Sequence, residues 1–427
     1  MLQKLELFNS IKEFFLFIAV CVFIFSYSLL VEYNNFKNLT QFDSQIIEAT
    51  IIKQYTKTKI KKNGKLRTYQ VLKLQSDKNF SFYTIANKNF PSSKLKQVRL
   101  EIWTGKLTFL EYLQTFFAPS HILEVDKNNS MKSDINKLIE SQHKDSNSTQ
   151  IYQALYTATP LSRDLQKLFA VLGVSHLFAI SGFHLGVLAT LLFFVLKTPY
   201  KFFQHRYFPY RSYKVDSFII ISILLFIYML FLDVPASLLR AYVMMIIGFI
   251  LYDRGFKIVS MWTLFLTAIL ILSFTPRLFF SIGFWLSIAG VFYIFLFLLH
   301  FKNLHKIWQF IFIPIWVYLM MLPYSLYIFH TFSLMHPLSI IWTSLFTIFY
   351  PLSIVLHLLS QGDVFDYSLS TLLSLASYPQ DIELSHEIFF SFLALSLISV
   401  VNRKIVVILI FFGGFIFIDS IYNVTQF

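Results

Sequence analysis

The sequence predicts a polytopic α-helical membrane protein of about eight to ten segments, some broken or re-entrant, with a small external OB-like β-barrel near the N-terminus. Three observations carry that prediction. The 427 residues are 56% hydrophobic and only 14% charged, with a mean hydropathy of +0.61, far above the mix of a soluble domain. Residues 14–31, 168–196, 217–232, 258–276, 278–301 and the 56 residues from 307 to 362 contain no Asp, Glu, Lys or Arg, and about 20 apolar residues suffice to cross a bilayer. Finally, the net charge of +13 is concentrated in residues 34–106, where 15 Lys and Arg stand against Asp43, Glu48, Asp77 and Glu101, a local excess of +11.

Residues 1–33 read as an N-terminal membrane anchor. The run FFLFIAVCVFIFSYSLLV is followed by no small-residue cleavage site, so it is expected to be retained rather than removed as a signal peptide. The single cysteine, Cys21, lies inside this run; it cannot form an intrachain disulfide, says nothing about redox compartment, and is expected to serve packing.

Residues 34–106 read as an external basic domain. SQIIEATIIKQY, KLRTYQVLKLQ, NFSFYTIAN and KQVRLEIWTG alternate as strands do, with turn-like KKNGK and NKNFPSS between them. Short strands in a stretch of that length suit a small OB-like barrel. Basic side chains here are interleaved with Tyr55, Tyr69, Phe80, Phe82, Tyr83 and Trp103, as a nucleic-acid surface requires, since cations meet phosphates and rings stack on bases. The candidate contacts are Lys57, Lys59, Lys61, Lys62, Lys65, Arg67, Tyr69 and Trp103. Composition alone fits equally a solvated basic domain or one resting on anionic lipid headgroups. Residues 107–170 then read as an interfacial amphipathic stretch and polar helices.

Residues 171–427 form the expected polytopic domain. The loop 197–216 holds five Lys or Arg against one Asp, which marks it cytoplasmic by the positive-inside rule and sets residues 34–170 outside the cytoplasm. Lys4 and Lys12, DRGFK at 253–257 and HFKNLHK at 300–306 fit the same orientation. Residues 361–387 carry Asp363, Asp366, Asp381, Glu383 and Glu387 and no Lys or Arg, so they suit the outside, whereas NRK at 402–404 suits the inside. Strict alternation of single spans breaks there, and a broken or re-entrant segment helped by Pro314, Pro323, Pro337 and Pro351 would restore it.

Two features are too polar for a lipid-facing helix. GVSHLFAISGFHLGVL, residues 173–188, carries His176, Ser181 and His184, which fall within an arc of about 140° if the stretch is one helix. A shared polar face inside a bundle points at other helices or at water, and Gly173, Gly182 and Gly186 permit close approach or local unwinding. Arg240 in PASLLRAYVMM sits mid-span, at an insertion cost of about 2.5–3.5 kcal/mol. It should pair with an acid such as Asp233 or Asp253, line a wet cavity, or snorkel to the outer interface.

The stretch ALYTATPLSRDLQKLFAVLGVSHLFAISGFHLGVLA resembles the signature of the ComEC family of competence channels, whose core reads approximately G-hydrophobic-x-HLLAISGLH-hydrophobic. Here that core is Gly173, His176, Leu177, Ala179, Ile180, Ser181, Gly182 and His184. The resemblance continues in order through SLLRAYVMMIIGFILYDRG, SFTPRLFFSIGFWLSIAGVFYIF and FSLMHPLSIIWTSLFTIFYPLSIVL, covering residues 150–360 strongly and the external domain more loosely. It implies an inner-membrane channel that imports single-stranded transforming DNA, with Gly173, His176, Ser181, Gly182 and His184 in the channel-lining signature. Arg240 matches the family's RA arginine and Ser287 its LS serine. The implied partners are single-stranded DNA, a periplasmic DNA receptor, a separate nuclease, cytoplasmic motor or strand-trapping proteins and membrane lipids, with no cofactor and no metal. Larger family members carry a C-terminal metallo-β-lactamase-like domain with an HxHxDH motif; none of the 11 His here forms such a cluster, so a short form without nuclease activity is expected. The family commonly has Asn where this chain has His336, and no role is carried to it.

Two rival chemistries remain open. Ser181 and His184, three residues apart, allow an intramembrane serine hydrolase, although no Asp or Glu lies between 165 and 215 to orient the base. On a continuous helix His176 and His184 would stand about 12 Å apart, too far to share a metal ion. A small-molecule transporter would explain the spans but not the basic block, and no internal repeat stands out. No GxxxxGK[ST] phosphate loop is present, so no ATPase is expected in the chain.

Overall fold

The computed structural model describes residues 10–60, 66–78, 80–125, 131–178, 180–255, 260–376 and 380–425. Helix α1 (Ile11–Leu39) begins at an N-cap where Ser10 accepts from the Glu13 amide, and only Cys21 and Leu39 on it are buried. Its 29 residues span about 43 Å, more than a bilayer core, so its far end reaches the β-domain.

That domain comprises β1 (Ser44–Ile60), β2 (Leu66–Ser76), β3 (Ser81–Ala86), β4 (Gln97–Trp103), a short α2 (Phe109–Leu113), β5 (Phe116–Phe117) and β6 (Ser120–Val125), in sheet order β5-β3-β2-β1-β4-β6. The four strands expected from alternation form. Their inward residues, among them Ile47, Ala49, Ile51, Leu72, Leu74, Phe82, Val98, Leu100 and Ile102, make one core with Leu39, Tyr112 and Phe116. Two expectations need correction. The sheet is open, not a closed barrel: β5 joins β3 through only two residue pairs, β6 joins β4, and the two edges do not pair with each other. Closure needs edge-to-edge pairing; here the end of α1 and Tyr112 of α2 cover the buried face instead. The sheet also runs past residue 106, because β5 and β6 fall within the stretch read as interfacial and helical.

The polar stretch that follows splits into α3 (Met131–Glu140) and α4 (Ser146–Thr157), because Asp145 caps α4 by accepting from the Ser148 amide. Next come α5 (Arg163–Val171), a single turn α6 (Ser175–Phe178), α7 (Gly182–Tyr207), α8 (Tyr213–Phe231), α9 (Ala236–Asp253), α10 (Met261–Phe274), α11 (Ile282–His300) and α12 (Lys306–Phe329). The chain closes with β7 (Thr331–Phe332), α13 (Ser339–Leu358), α14 (Asp366–Ser374), β8 (Gln380–Asp381), α15 (His386–Ile398) and α16 (Arg403–Thr425). Among the described residues, seven helices are long and apolar enough to cross a membrane, namely α1, α7, α8, α11, α12, α13 with its preceding turn, and α16; α10 and α15 are shorter apolar helices.

Three of the four prolines expected to break residues 307–359 do not. Pro314 and Pro323 lie inside α12 and Pro351 inside α13, while Pro337 sits in the 3-10 turn 336–338 that leads into α13. The reversal itself is made by His330 in the left-handed region (φ 54°). Strand β7 pairs antiparallel with β8, so after α13 the chain returns to the level of the α12–α13 turn. A three-residue contact ties the other end of α13 and the start of α14 to the polar helices. His143 Nδ1 lies 3.0 Å from both Asp366 carboxylate oxygens and its Nε2 lies 3.0 Å from His357 Nε2. Separations of more than 200 residues made this contact invisible to sequence patterning.

Candidate functional site

The polar signature is not one helix. Helix α5 ends at Val171, Gly173 turns the chain with φ +69°, α6 makes one turn, and α7 starts at Gly182. The shared 140° face and the 12 Å separation expected of a continuous helix therefore do not apply. The break has local causes. A Cβ at Gly173 would lie 3.0 Å from His336 Cγ and from the His336 carbonyl, and the left-handed φ is costly for any L side chain. Ser181 is the N-cap of α7 in extended conformation, and the His184 ring folds back one turn, its Nδ1 3.2 Å from the Ser181 amide and 3.1 Å from Ser181 Oγ. That is the returning half of a capping box, with imidazole in place of the usual carboxylate.

Neighbouring elements hold the broken backbone. Ser237 Oγ donates to the Ile180 carbonyl at 2.7 Å, and Ser333 Oγ donates to the Val171 carbonyl at 2.7 Å. Gly182 packs against α9 so closely that an added Cβ would meet Ala241 Cβ at 2.9 Å. At Gly186, by contrast, a Cβ would meet nothing within 4 Å.

The histidines differ in setting. His176 is exposed and its Nε2 lies 3.2 Å from Thr343 Oγ1 on α13. His184 is 1% exposed and lies edge-on to Phe346 and Tyr350 of α13, at 5.2 and 4.8 Å between centroids. A backbone amide can only donate, so His184 Nδ1 accepts and the ring proton of the neutral form sits on Nε2. Among the described residues, that Nε2 has no side-chain hydrogen-bond partner. For hydrolysis this is an unfavourable arrangement, because the lone pair that should take the Ser181 proton is already engaged by an amide. No carboxylate orients the other nitrogen among the described residues.

Arg240 is 3% exposed on α9. It donates through one terminal nitrogen to the Gly283 carbonyl at 2.9 Å and lies 5.7 Å from the Phe284 ring, while among the described residues its Nε has no partner. Neither acid expected from sequence meets it: Asp233 pairs with Lys132 of α3 at 2.5 Å, and no ion pair joins Arg240 to Asp253 among the described residues. Nor does it snorkel, since it is buried against the start of α11. Ser287 lies one turn beyond Gly283 on α11 and is half-buried. The structure thus joins Gly173, Ser181, Gly182 and His184 around the break. Arg240 lies apart from it, bonded to α11 at Gly283, with Ser287 one turn further along that helix. His336, to which the sequence assigned no role, backs Gly173, and Tyr318 OH lies 3.4 Å from its Nδ1.

In the β-domain, Lys57 lies opposite Tyr69 and Lys59 opposite Arg67 on the exposed end of the β1–β2 ribbon. Lys61, Lys62 and Lys65 lie outside the described residues. Trp103 is 43% exposed and borders a groove with Lys106, Glu111 and Phe117 on another part of the sheet, so it does not join the ribbon cluster.

Among the described residues no group of three or more His, Cys, Asp or Glu is arranged to hold a metal ion. No curated protein and no solved structure matches the chain. The model of the competence protein family matches residues 157–421, a span that begins at the end of α4 and contains the broken signature, Arg240, Ser287 and all the helices from α5 to α15. The chain belongs to the competence protein family.

Proposed function

We propose that this protein is an inner-membrane channel that imports single-stranded transforming DNA during natural competence. Family membership suggests a role in DNA uptake. The observation that carries the channel reading is Arg240, a cation 3% exposed in an apolar helix, held by a carbonyl and a ring and, among the described residues, in no ion pair with a carboxylate. A strand with one negative charge per nucleotide cannot cross dry hydrocarbon, so its passage needs neutral and cationic polar groups inside the bundle. Donors without a partner among the described residues, His184 Nε2 and Arg240 Nε, suit phosphate oxygens, and a hydroxyl such as that of Ser287 holds them weakly enough to release them.

Contacts between distant segments support an orientation with residues 34–170 outside the cytoplasm. Lys132 of α3 reaches Asp233 between α8 and α9, and Arg277 between α10 and α11 makes a bidentate pair with Glu32 near the end of α1. Simple alternation from the basic loop 197–216 sets both of those turns on the outer side. The β7–β8 pairing brings Asp381 back beside the α12–α13 turn, which supports a re-entrant course after α13 over strict alternation of single spans. Single-stranded DNA, a periplasmic receptor, a separate nuclease and a cytoplasmic motor or trapping protein are the partners this reading requires.

The test is transformation of a deletion strain with linear DNA before and after complementation. Loss on deletion and return on complementation are expected; undiminished transformation in the deletion strain contradicts the reading.

A further inference from the structure

A second set of cations lies deeper on the sheet than the ribbon lysines. Beyond the bulge between Ile51 and Lys53, strand alternation turns Lys53, Tyr55, Lys57 and Lys59 to one face, where they oppose Lys73, Val71, Tyr69 and Arg67 in turn. Lys73 also opposes Tyr83 on β3, its Nζ 5.8 Å from the ring centroid. At its inner end the row meets the helical bundle. The Arg163 guanidinium, at the first residue of α5, lies 3.6 Å from the centre of the Tyr55 ring, and Lys94 Nζ donates to the Pro160 carbonyl at 2.6 Å.

Lys53, Lys73 and Lys94 are half-buried. Burial, and then a neighbouring cation, pushes each ammonium below its ordinary pKa of 10.5: Arg163 acts on Lys53, and Lys53 acts on Lys73 and Lys94. Among the described residues none of these four cations joins an ion pair. Like charges facing each other across a ladder are destabilising, so the fold holds an uncompensated positive centre that an anion would relieve.

We propose that Lys53, Lys73, Lys94 and Arg163 form a phosphate site at the seam between the sheet and α5, and that it takes backbone phosphates of a single nucleic-acid strand about to enter the bundle. This rests on the DNA-import reading. A strand fits better than a lipid headgroup because the row continues outward through Lys57 with Tyr69 and Lys59 with Arg67. Same-face side chains recur about every 6.6 Å along such a strand, a linear array of cations and rings suited to a polyanion with stackable bases.

The test is binding of a labelled oligothymidylate to the full-length protein in neutral-lipid nanodiscs as salt is raised. For the double variant Lys53→Gln, Lys73→Gln the slope of log affinity against log salt should flatten by about 1.4, because each lost single-strand phosphate contact removes about 0.7. Lys53→Arg with Lys73→Arg should keep the wild-type slope, and unfolding temperatures taken alongside should show both variants folded. Equal slopes for wild type and the Gln variant overturn the site while leaving the import reading intact. Absence of any binding by wild type overturns that reading itself. Competition by inorganic phosphate, or by nanodiscs carrying phosphatidylglycerol, that erases the difference between wild type and variant assigns the centre to free phosphate or to lipid and overturns the strand.

Discussion

Replacing Arg240 with Gln should remove most DNA uptake while leaving membrane abundance close to wild type. The direction follows from what surrounds the guanidinium. The substitution loses one charge-assisted hydrogen bond to the Gly283 carbonyl, a loss of about 1.5–3 kcal/mol, and a contact with the Phe284 ring that contributes up to about 2 kcal/mol when desolvated. Against this, it removes the penalty of a buried Nε with no hydrogen-bond partner among the described residues, about 1–3 kcal/mol, and part of the cost of a cation within the membrane, below the helix-centre figure of about 2.5–3.5 kcal/mol because Arg240 is only the fifth residue of α9 (Ala236–Asp253). The further 3–5 kcal/mol incurred when a buried acid loses its partner does not arise, because Asp233 is held by Lys132. The terms nearly cancel, so folding has no reason to fail. Arg240→Lys keeps the charge and should retain much of the uptake. The assay is membrane abundance by quantitative blot beside nuclease-protected DNA uptake, for both substitutions. Abundance falling in step with uptake would make Arg240 a structural residue, and normal uptake with normal abundance would remove it from the passage.

Ser181→Ala should keep partial uptake, since it forfeits a hydroxyl contact of about 0.5–1.5 kcal/mol, and a serine-reactive phosphonate should leave position 181 of the wild-type protein unlabelled; labelling there would revive the hydrolase. Gly173→Ala combines a left-handed φ with a Cβ 3.0 Å from His336, so it should lower the thermal unfolding temperature by the equivalent of at least about 1–2 kcal/mol. Gly186→Ala, where the Cβ meets nothing within 4 Å, should not lower it; equal losses at both positions would count against the break as described. The lysine seam predicts a pH dependence. Lys53, Lys73 and Lys94 have folded pKa values below the ordinary 10.5, so between those values and 10.5 the unfolded chain holds more protons and stability rises with pH. Tyr83, raised by burial above its ordinary 10.0, acts in the opposite sense from about pH 10 upward. The unfolding temperature of wild type relative to the Lys53→Gln, Lys73→Gln variant should therefore climb as pH approaches 10, and a constant difference would show the ammonium groups to be unstrained.

What the sequence made legible follows from which signals are local. The four strands of the basic block declared themselves through period-two alternation around Ile47, Leu72, Phe82 and Leu100, and the long helices through uncharged length. Barrel closure was not legible, because it turns on whether two short edge segments, Phe116–Phe117 and Ser120–Val125, pair with each other or with inner strands. The signature was found by its residues but misread as a continuous helix, since hydrophobic density is the same in a broken helix as in a whole one. The S-x-x-H spacing of Ser181 and His184, the pattern of a helix N-terminus, was the available clue. Proline was over-read: in a packed bundle Pro314, Pro323 and Pro351 sit inside helices, because neighbouring helices and local adjustments re-satisfy the freed backbone groups. Arg240 stood out in the sequence as a cation in an apolar segment, but only the fold could reveal that its neighbour is a carbonyl rather than an acid.

The most direct measurement is site-specific photo-crosslinking during uptake of labelled DNA in living cells, with the crosslinking residue placed at Ser287 or His176 and, as a lipid-facing control, at Phe194, which is 77% exposed on α7. If the strand crosses within this bundle, labelled DNA should become attached at positions 287 and 176 only while uptake is in progress, and not at 194. Attachment at none of the three during active uptake, or equally at all three, would contradict passage through this protein.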